Sequence, residues 1–132
     1  MGAVDGRTSS VESYNERRES GMILTSEAHR AATVICITGD LTTDDSDSFQ
    51  REVRETVGNF STNVIIDCTS LGLIDSVGLE SLLWLSDELS RAGNKLRFAS
   101  VPEPLERVFE LTRLNRVFSS HESVEQAARS FT

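Results

Sequence analysis

The fold is decided by the stretch Val64-Ile-Ile-Asp-Cys-Thr-Ser-Leu-Gly-Leu-Ile-Asp-Ser-Val-Gly-Leu79. Its β-branched start is typical of an inner strand, and the leucines that follow Gly78 recur at helical spacing. A short loop therefore connects a buried strand to a helix, and Asp75 and Ser76 fall at the N-terminus of that helix. The sequence predicts an exposed hydroxyl at Ser76.

Strands and helices alternate on both sides of this stretch. The patterns predict strands at residues 22–26, 33–38, 63–67, 95–100 and 117–119, the first two as a hairpin whose second strand ends at Gly39. They predict helices after the acidic cluster Asp44, Asp45 and Asp47, at Ser76, after Pro102 and after Ser123. The predicted fold class is α/β, a sandwich with a mixed central sheet of about five strands covered by about four helices.

Several motifs resemble those of one family. Leu73-Ile-Asp-Ser-Val-Gly-Leu79 is similar to the Asp-Ser-[Ser/Thr]-Gly-Leu signature of the STAS family, the anti-sigma factor antagonists. Gly39-Asp40-Leu41 resembles the family's Gly-[Asp/Glu]-Leu-Asp segment. The stretches 91–98, 104–118 and 123–127 resemble its later helices and strand, so the resemblance runs from about Met22 to the end of the chain.

The resemblance implies a STAS domain over residues 21–132 and a switch that is not an enzyme. Unphosphorylated, the protein would bind an anti-sigma factor that is a serine kinase of the histidine-kinase-like ATPase fold, and phosphorylation of Ser76 would release it. The resemblance leaves room for a serine phosphatase as a second partner and implies no cofactor. The residues expected to bind the partner are Asp40, Leu41, Asp75, Ser76, Val77, Gly78, Glu80 and Trp84.

The chain departs from the family pattern at three places, one of which is Trp84, in a helix position that is commonly small. Val77 replaces the usual second Ser or Thr, which leaves Ser76 as the acceptor, and Thr42 stands where an Asp usually follows Leu41. The runner-up function is a non-phosphorylated STAS subunit of a larger assembly, such as a lipid-transport ABC complex. A response-regulator receiver is disfavoured, because the acidic pair expected after a first strand is missing.

Ser76 itself has three interpretations. It could be a simple N-cap, which stabilises a helix by about 1 kcal/mol. It could be a nucleophile, but the Gly-x-Ser-x-Gly spacing of hydrolases is absent and no motif ties His29 or His121 to it. As a phosphorylation site it would carry about −1.5 to −2 charge at a helix N-terminus, whose N–H groups favour anions.

Helical spacing assigns the faces of the second helix. Leu79, Leu82, Leu83, Ser86 and Leu89 form the stripe predicted to face the sheet. Val77, Ser81 and Trp84 are then predicted on the other face, near Glu80 and Glu88. Trp84 could pack under a neighbouring loop or anchor a partner, since aromatic residues are enriched in protein interfaces.

Composition limits the remaining possibilities. With 132 residues the chain suits one domain, and 21 acidic against 13 basic residues give a net charge of −8. That charge argues against nucleic-acid or anionic-membrane binding, which depends on Lys and Arg. No stretch reaches the roughly 18 apolar residues of a membrane helix and no signal core is present, so a cytoplasmic location is expected.

The remaining predictions concern the N-terminal segment, the two cysteines and the acidic cluster. Residues 1–20 have few apolar side chains and no periodicity, so a flexible tail is expected. Cys36 and Cys68 lack metal-ligand spacing and are expected to be reduced core thiols. The cluster of Asp44, Asp45 and Asp47 is better suited to helix capping than to a metal, so no metal site is predicted.

Overall fold

The computed structural model describes residues 21–131. Residues 1–20, where the tail was expected, lie outside this range. The described chain contains six strands and four α-helices, in the order β1 (Met22–Ala28), β2 (Thr33–Leu41), α1 (Ser46–Val57), β3 (Val64–Asp67), β4 (Leu71–Ile74), α2 (Ser76–Arg91), β5 (Leu96–Ala99), α3 (Glu103–Leu111), β6 (Ser119–His121) and α4 (Val124–Arg129). The predicted α/β class with a mixed sheet and four helices is confirmed.

One mixed sheet holds the domain together. Its strands lie in the order β1-β2-β3-β5-β6, and only the β1–β2 pair is antiparallel. β3 pairs with the first half of β2, and β4 pairs with the second half, at Gly39 and Leu41. The chain thus returns to β2 immediately before it enters α2.

The two faces of the sheet are covered unequally. The larger core includes side chains from α1, α2 and α3, among them Val53, Leu82 and Leu105. A smaller core on the other face is mostly alanine and includes Ala127 and Ala128 of α4. The α2 helix therefore belongs to the well-packed side, which fixes the direction in which its N-terminus points.

β4 lies where the sequence predicted a loop, and it brings the number of strands to six instead of the predicted five. Its four residues are too short and too exposed to give an alternating pattern, so only pairing with β2 defines it. β2 also continues past its predicted end at Gly39 and runs on to Leu41. Gly39 itself adopts φ +97° within the strand. The last strand lies at Ser119–His121, slightly later than predicted.

The buried face of α2 differs from the predicted stripe. The structure buries Gly78, Ser81, Leu82, Leu85 and Leu89. Leu79, Leu83 and Ser86 are only partly buried. The prediction that Ser81 lies on the outer face is wrong, because α1 packs beside α2 and its Ser46 hydroxyl lies 3.2 Å from that of Ser81.

Three phenylalanines close the larger core. Phe98 of β5 lies 5.5 Å from Phe109 and 4.7 Å from Phe118 between ring centroids, and all three are buried. Aromatic side chains placed this way bury large areas and contribute edge contacts as well.

We expect Phe98→Ala to lower the free energy of unfolding by about 3 to 5 kcal/mol, because it leaves a cavity against both partner rings. Urea denaturation would measure this. Leu111→Ala is the matched control, since Leu111 is 82% exposed and its truncation should change stability by less than about 0.5 kcal/mol. A loss below about 1 kcal/mol for Phe98→Ala would contradict the core assignment.

Candidate functional site

Ser76 is the first residue of α2, and it is exposed. The preceding residue, Asp75, is the N-cap, and its Oδ1 accepts a hydrogen bond from the Gly78 N–H at 2.8 Å. The Ser76 hydroxyl makes no hydrogen bond with any residue of the described chain, 21–131. The interpretation of Ser76 as the N-cap is therefore wrong, and its hydroxyl is left available for chemistry.

The Asp75 carboxylate joins two parts of the chain. Its Oδ2 accepts hydrogen bonds from both the backbone N–H and the hydroxyl of Thr43, each at 2.9 Å. Thr43 begins the 3-10 turn (Thr43–Asp45) that follows β2. The hydrogen bonds from Gly78 and then from Thr43 lower the pKa of Asp75 below its ordinary value of 3.8. The carboxylate thus stays charged beside Ser76.

Asp40 holds the strand that leads to Ser76. Its Oδ1 accepts a hydrogen bond of 2.8 Å from the N–H of Leu73 in β4. A Cβ at Gly72 would lie only 2.6 Å from the same oxygen. A side chain at position 72 would displace this carboxylate, so Gly72 and Asp40 together set the path of β4.

Two residues expected to contact a partner are buried. The Leu41 side chain is fully buried, so the expectation that it reaches a partner is wrong. Gly78 is buried as well, and a Cβ there would overlap the Leu41 carbonyl oxygen and lie 2.7 Å from Cγ1 of Ile74. Both residues instead allow α2 to approach the end of β2 closely. This close approach sets the position of Ser76 at the start of α2.

Val77 and Glu80 lie on the accessible side of α2. Val77 is partly buried and Glu80 is exposed, four residues after Ser76 on the same helical face. These two residues, together with Ser76 and the half-buried Asp40 and Asp75, are the predicted partner-binding residues that the structure leaves able to touch a partner near the hydroxyl. Their contact with a partner stays a prediction.

Trp84 is packed within the protein. Its ring makes an edge contact with Phe60 at 5.7 Å between centroids, and the Arg54 guanidinium lies 5.0 Å from its ring centroid. The residue also packs against the larger core while remaining partly exposed. These contacts favour the alternative in which Trp84 packs under the α1–β3 loop, rather than the alternative in which it anchors a partner.

The sequence patterns did not predict the exposure of Leu73, whose side chain is 72% exposed. Strict alternation from the buried Leu71 would turn Leu73 inward. The β2–β4 pairing shifts register between its two residue pairs, Gly39 with Leu71 and Leu41 with Ile74. Between these pairs β4 has one residue more than β2. A bulge of this kind redirects the side chains of the strand that carries it. Nothing in the local sequence indicates the bulge.

Negative charge borders this end of the domain. Asp44 and Asp47 are exposed, in the 3-10 turn and the first turn of α1. Asp45 is buried and caps its own turn, since its Oδ2 accepts from the N–H of Thr42 at 2.9 Å. The capping interpretation holds for Asp45. Within residues 21–131, no group of His, Cys, Asp and Glu could hold a metal ion.

The histidines and cysteines lie elsewhere. His121 pairs with the Ser119 hydroxyl at 3.0 Å, and the Nδ1 of the exposed His29 accepts from the Ala31 N–H at 3.4 Å. Neither histidine forms a hydrogen bond with Ser76. Both cysteines are free thiols, and burial raises the pKa of Cys68 to about 12. Among the helices of residues 21–131, none has the length and apolar character needed to span a bilayer.

A model of the STAS domain family matches residues 24–127, so the chain belongs to the STAS domain family. Three solved structures share its fold. An anti-sigma factor antagonist from Mycobacterium paratuberculosis has a TM-score of 0.74 at 18% identity, over 85% of this chain and 95% of that one. A candidate anti-sigma factor antagonist of Thermotoga maritima gives 0.71 at 18% identity, over 82% and 93%.

The third is the Bacillus cell fate determinant SpoIIAA in its phosphorylated form, with a TM-score of 0.63 at 17% identity, over 82% of this chain and 99% of that one. At these identities the comparison establishes a common fold. The resemblance that the motifs indicated is thereby confirmed at the level of the family.

The lowered pKa of Asp75 predicts a pH dependence of stability. A carboxylate whose folded-state pKa lies below the unfolded value stabilises the fold above that value, and this contribution disappears as the pH falls through the folded-state pKa. We therefore expect Asp75→Asn to be less stable than the parent protein at pH 7, with the difference closing below pH 3.8. Urea denaturation across this range measures it.

The control for this experiment is Asp87→Asn, an exposed position on the same helix. It should leave the pH profile of the parent protein unchanged. If the Asp75→Asn and parent curves stay parallel down to pH 2, the carboxylate is not responsible for the stabilisation.

The packing of Trp84 predicts a structural role. Trp84→Ala should lower the free energy of unfolding by about 2 kcal/mol or more, since it removes contacts to Phe60 and Arg54 and part of the core. A double-mutant cycle with Phe60→Ala should give a coupling of about 0.5 to 1.5 kcal/mol. An unchanged stability together with weaker partner binding would assign Trp84 to the interface instead.

Proposed function

We propose that the protein is an anti-sigma factor antagonist whose Ser76 is the phosphorylation site. Unphosphorylated, it binds an anti-sigma factor that is a serine kinase of the histidine-kinase-like ATPase fold. Phosphorylation of Ser76 by that kinase breaks the complex, and a serine phosphatase restores it. The observation that carries the proposal is the exposed Ser76 hydroxyl at the start of α2, which the fold leaves without a hydrogen-bond partner among residues 21–131.

Phosphorylation at this position need not disturb the fold. Asp75 already caps α2, so a modified Ser76 leaves the capping hydrogen bonds in place. The Gly78 N–H is occupied by Asp75, which is a change from the expectation that free N–H groups would hold the phosphate. That N–H is therefore not available to the phosphate, which Ser76 would carry at an exposed position.

The charge balance supports release of the partner. A phosphate adds about −1.5 to −2 charge next to the ionised Asp75 and one helical turn before Glu80. A partner that fits the neutral serine then meets uncompensated negative charge, and mismatched charges across an interface cost several kcal/mol. In this proposal the protein is a switch whose phosphoryl group is supplied by the kinase. Because that kinase would use ATP, the proposed location is the cytoplasm.

The proposal predicts that Ser76 is the sole phosphate acceptor. After incubation with the cognate kinase and ATP, intact mass should rise by one phosphate in the parent protein and in Ser70→Ala, which removes another exposed serine nearby. Ser76→Ala should take up none. Ser76→Asp should bind the kinase at least about tenfold more weakly, since it introduces charge at the interface.

Two results would overturn this assignment. Phosphate recovered on Ser81 or Thr69 with Ser76 unmodified would place the acceptor elsewhere. Stable binding of the kinase with no phosphate transfer, and equal binding of Ser76→Asp, would favour a non-phosphorylated STAS subunit.

A further inference from the structure

Leu73 is an apolar side chain presented to solvent by a strand. It is 72% exposed and lies three residues before Ser76, at the end of β4 that runs directly into α2. Among residues 21–131 the other exposed large apolar side chains are Ile23, Leu111 and Val117, of which only Leu111 is as exposed as Leu73. None of these three belongs to β4 or α2. The exposure of Leu73 therefore coincides with the candidate site.

The strand holds Leu73 in a defined orientation. The Asp40 carboxylate accepts the Leu73 N–H at 2.8 Å, and Gly72 leaves the space that this carboxylate occupies. The register shift between β2 and β4 turns the side chain away from the core. A backbone held in this way loses little conformational freedom when the side chain that it carries enters a pocket, which favours affinity.

Exposed carboxylates lie on the segments that adjoin the start of α2, the helix that follows Leu73. Asp44 and Asp47 are exposed near the turn that Asp75 binds, and Glu80 is exposed on α2. None of these three carboxylates forms an ion pair with another residue of the described chain. An apolar centre with a charged border is the arrangement found in protein interfaces, where the border contributes association rate and specificity.

We propose that Leu73 is the apolar anchor of the interface with the anti-sigma factor kinase. The kinase would supply an apolar pocket for the leucine, bordered by Lys or Arg side chains that face Asp44, Asp47 and Glu80. This inference rests on the proposed function and adds the partner's chemistry to it. It moves to a residue on β4 the anchoring role that was one of the two alternatives for Trp84.

The test compares two leucines of similar exposure. The probe is the kinase that phosphorylates Ser76, and isothermal titration measures its affinity for the parent protein, Leu73→Ala, Leu73→Met and Leu111→Ala. Leu73→Ala should weaken binding by about tenfold or more, as for an anchor residue. Leu73→Met, which conserves volume, should stay within about threefold, and Leu111→Ala within about twofold. The thermal unfolding midpoints of all four proteins should coincide.

The charged border has its own measurement. Raising the salt concentration from 50 to 500 mM should slow association of the kinase with the parent protein and with Leu73→Ala by similar factors, because the carboxylates remain in both. Leu73→Ala should instead raise the dissociation rate. Loss of affinity through association alone would contradict the anchoring role.

The outcomes separate this inference from the proposed function. If Leu73→Ala binds like the parent protein while Ser76→Asp does not bind, Leu73 is not the anchor and the phosphorylation switch stands. If Leu73→Ala is weak but Ser76→Asp binds normally, Leu73 is the anchor of an interface that phosphorylation does not control. Equal losses for Leu73→Ala and Leu111→Ala would overturn the inference, and no complex with the parent protein would overturn both proposals.

Discussion

The Asp75 carboxylate is the interaction on which the geometry of the site depends. One oxygen satisfies the first turn of α2, and the other receives two hydrogen bonds from Thr43 after β2. Two chain segments that are distant in sequence are thereby fixed against each other by one side chain. Because this aspartate satisfies donors that would otherwise be unpaired, the next residue has no capping duty, and its hydroxyl faces solvent.

Close packing beneath the site completes this arrangement. Gly78 has no side chain, so α2 can approach the end of β2, whose Leu41 is buried in the core. Asp40, the neighbour of Leu41, reaches the opposite way and binds the N–H of Leu73. In the segment Gly39-Asp40-Leu41, each residue thus has its own role: Gly39 adopts a positive φ, Asp40 holds β4, and Leu41 fills the core. Because successive side chains of a strand point to opposite faces, Asp40 can bind β4 while its neighbour Leu41 is buried in the core.

Asp75, Gly78 and Leu41 hold the start of α2 in place, so a modification of Ser76 need not affect folding. A phosphate on Ser76 would change the charge of a surface that is already acidic, while the capping and packing that hold α2 stay unchanged. Regulation through surface charge has a different energetic signature from regulation by unfolding, because it alters the affinity for a partner and leaves the stability of the domain nearly constant. The fold of this chain is suited to the first kind.

Sequence patterns alone were enough to predict the α/β class, an inner strand at residues 63–67, which the structure has as Val64–Asp67, and Ser76 at the start of a helix. These features depend on local periodicity and on capping chemistry. The buried face of α2 depends on tertiary packing, since α1 lies beside it and places Ser46 against Ser81 and Arg54 over the Trp84 ring. Tertiary structure also decided the exposure of Leu73, because a bulge exists only once two strands have paired. Contacts between segments distant in sequence therefore set the surface that local patterns could only place approximately.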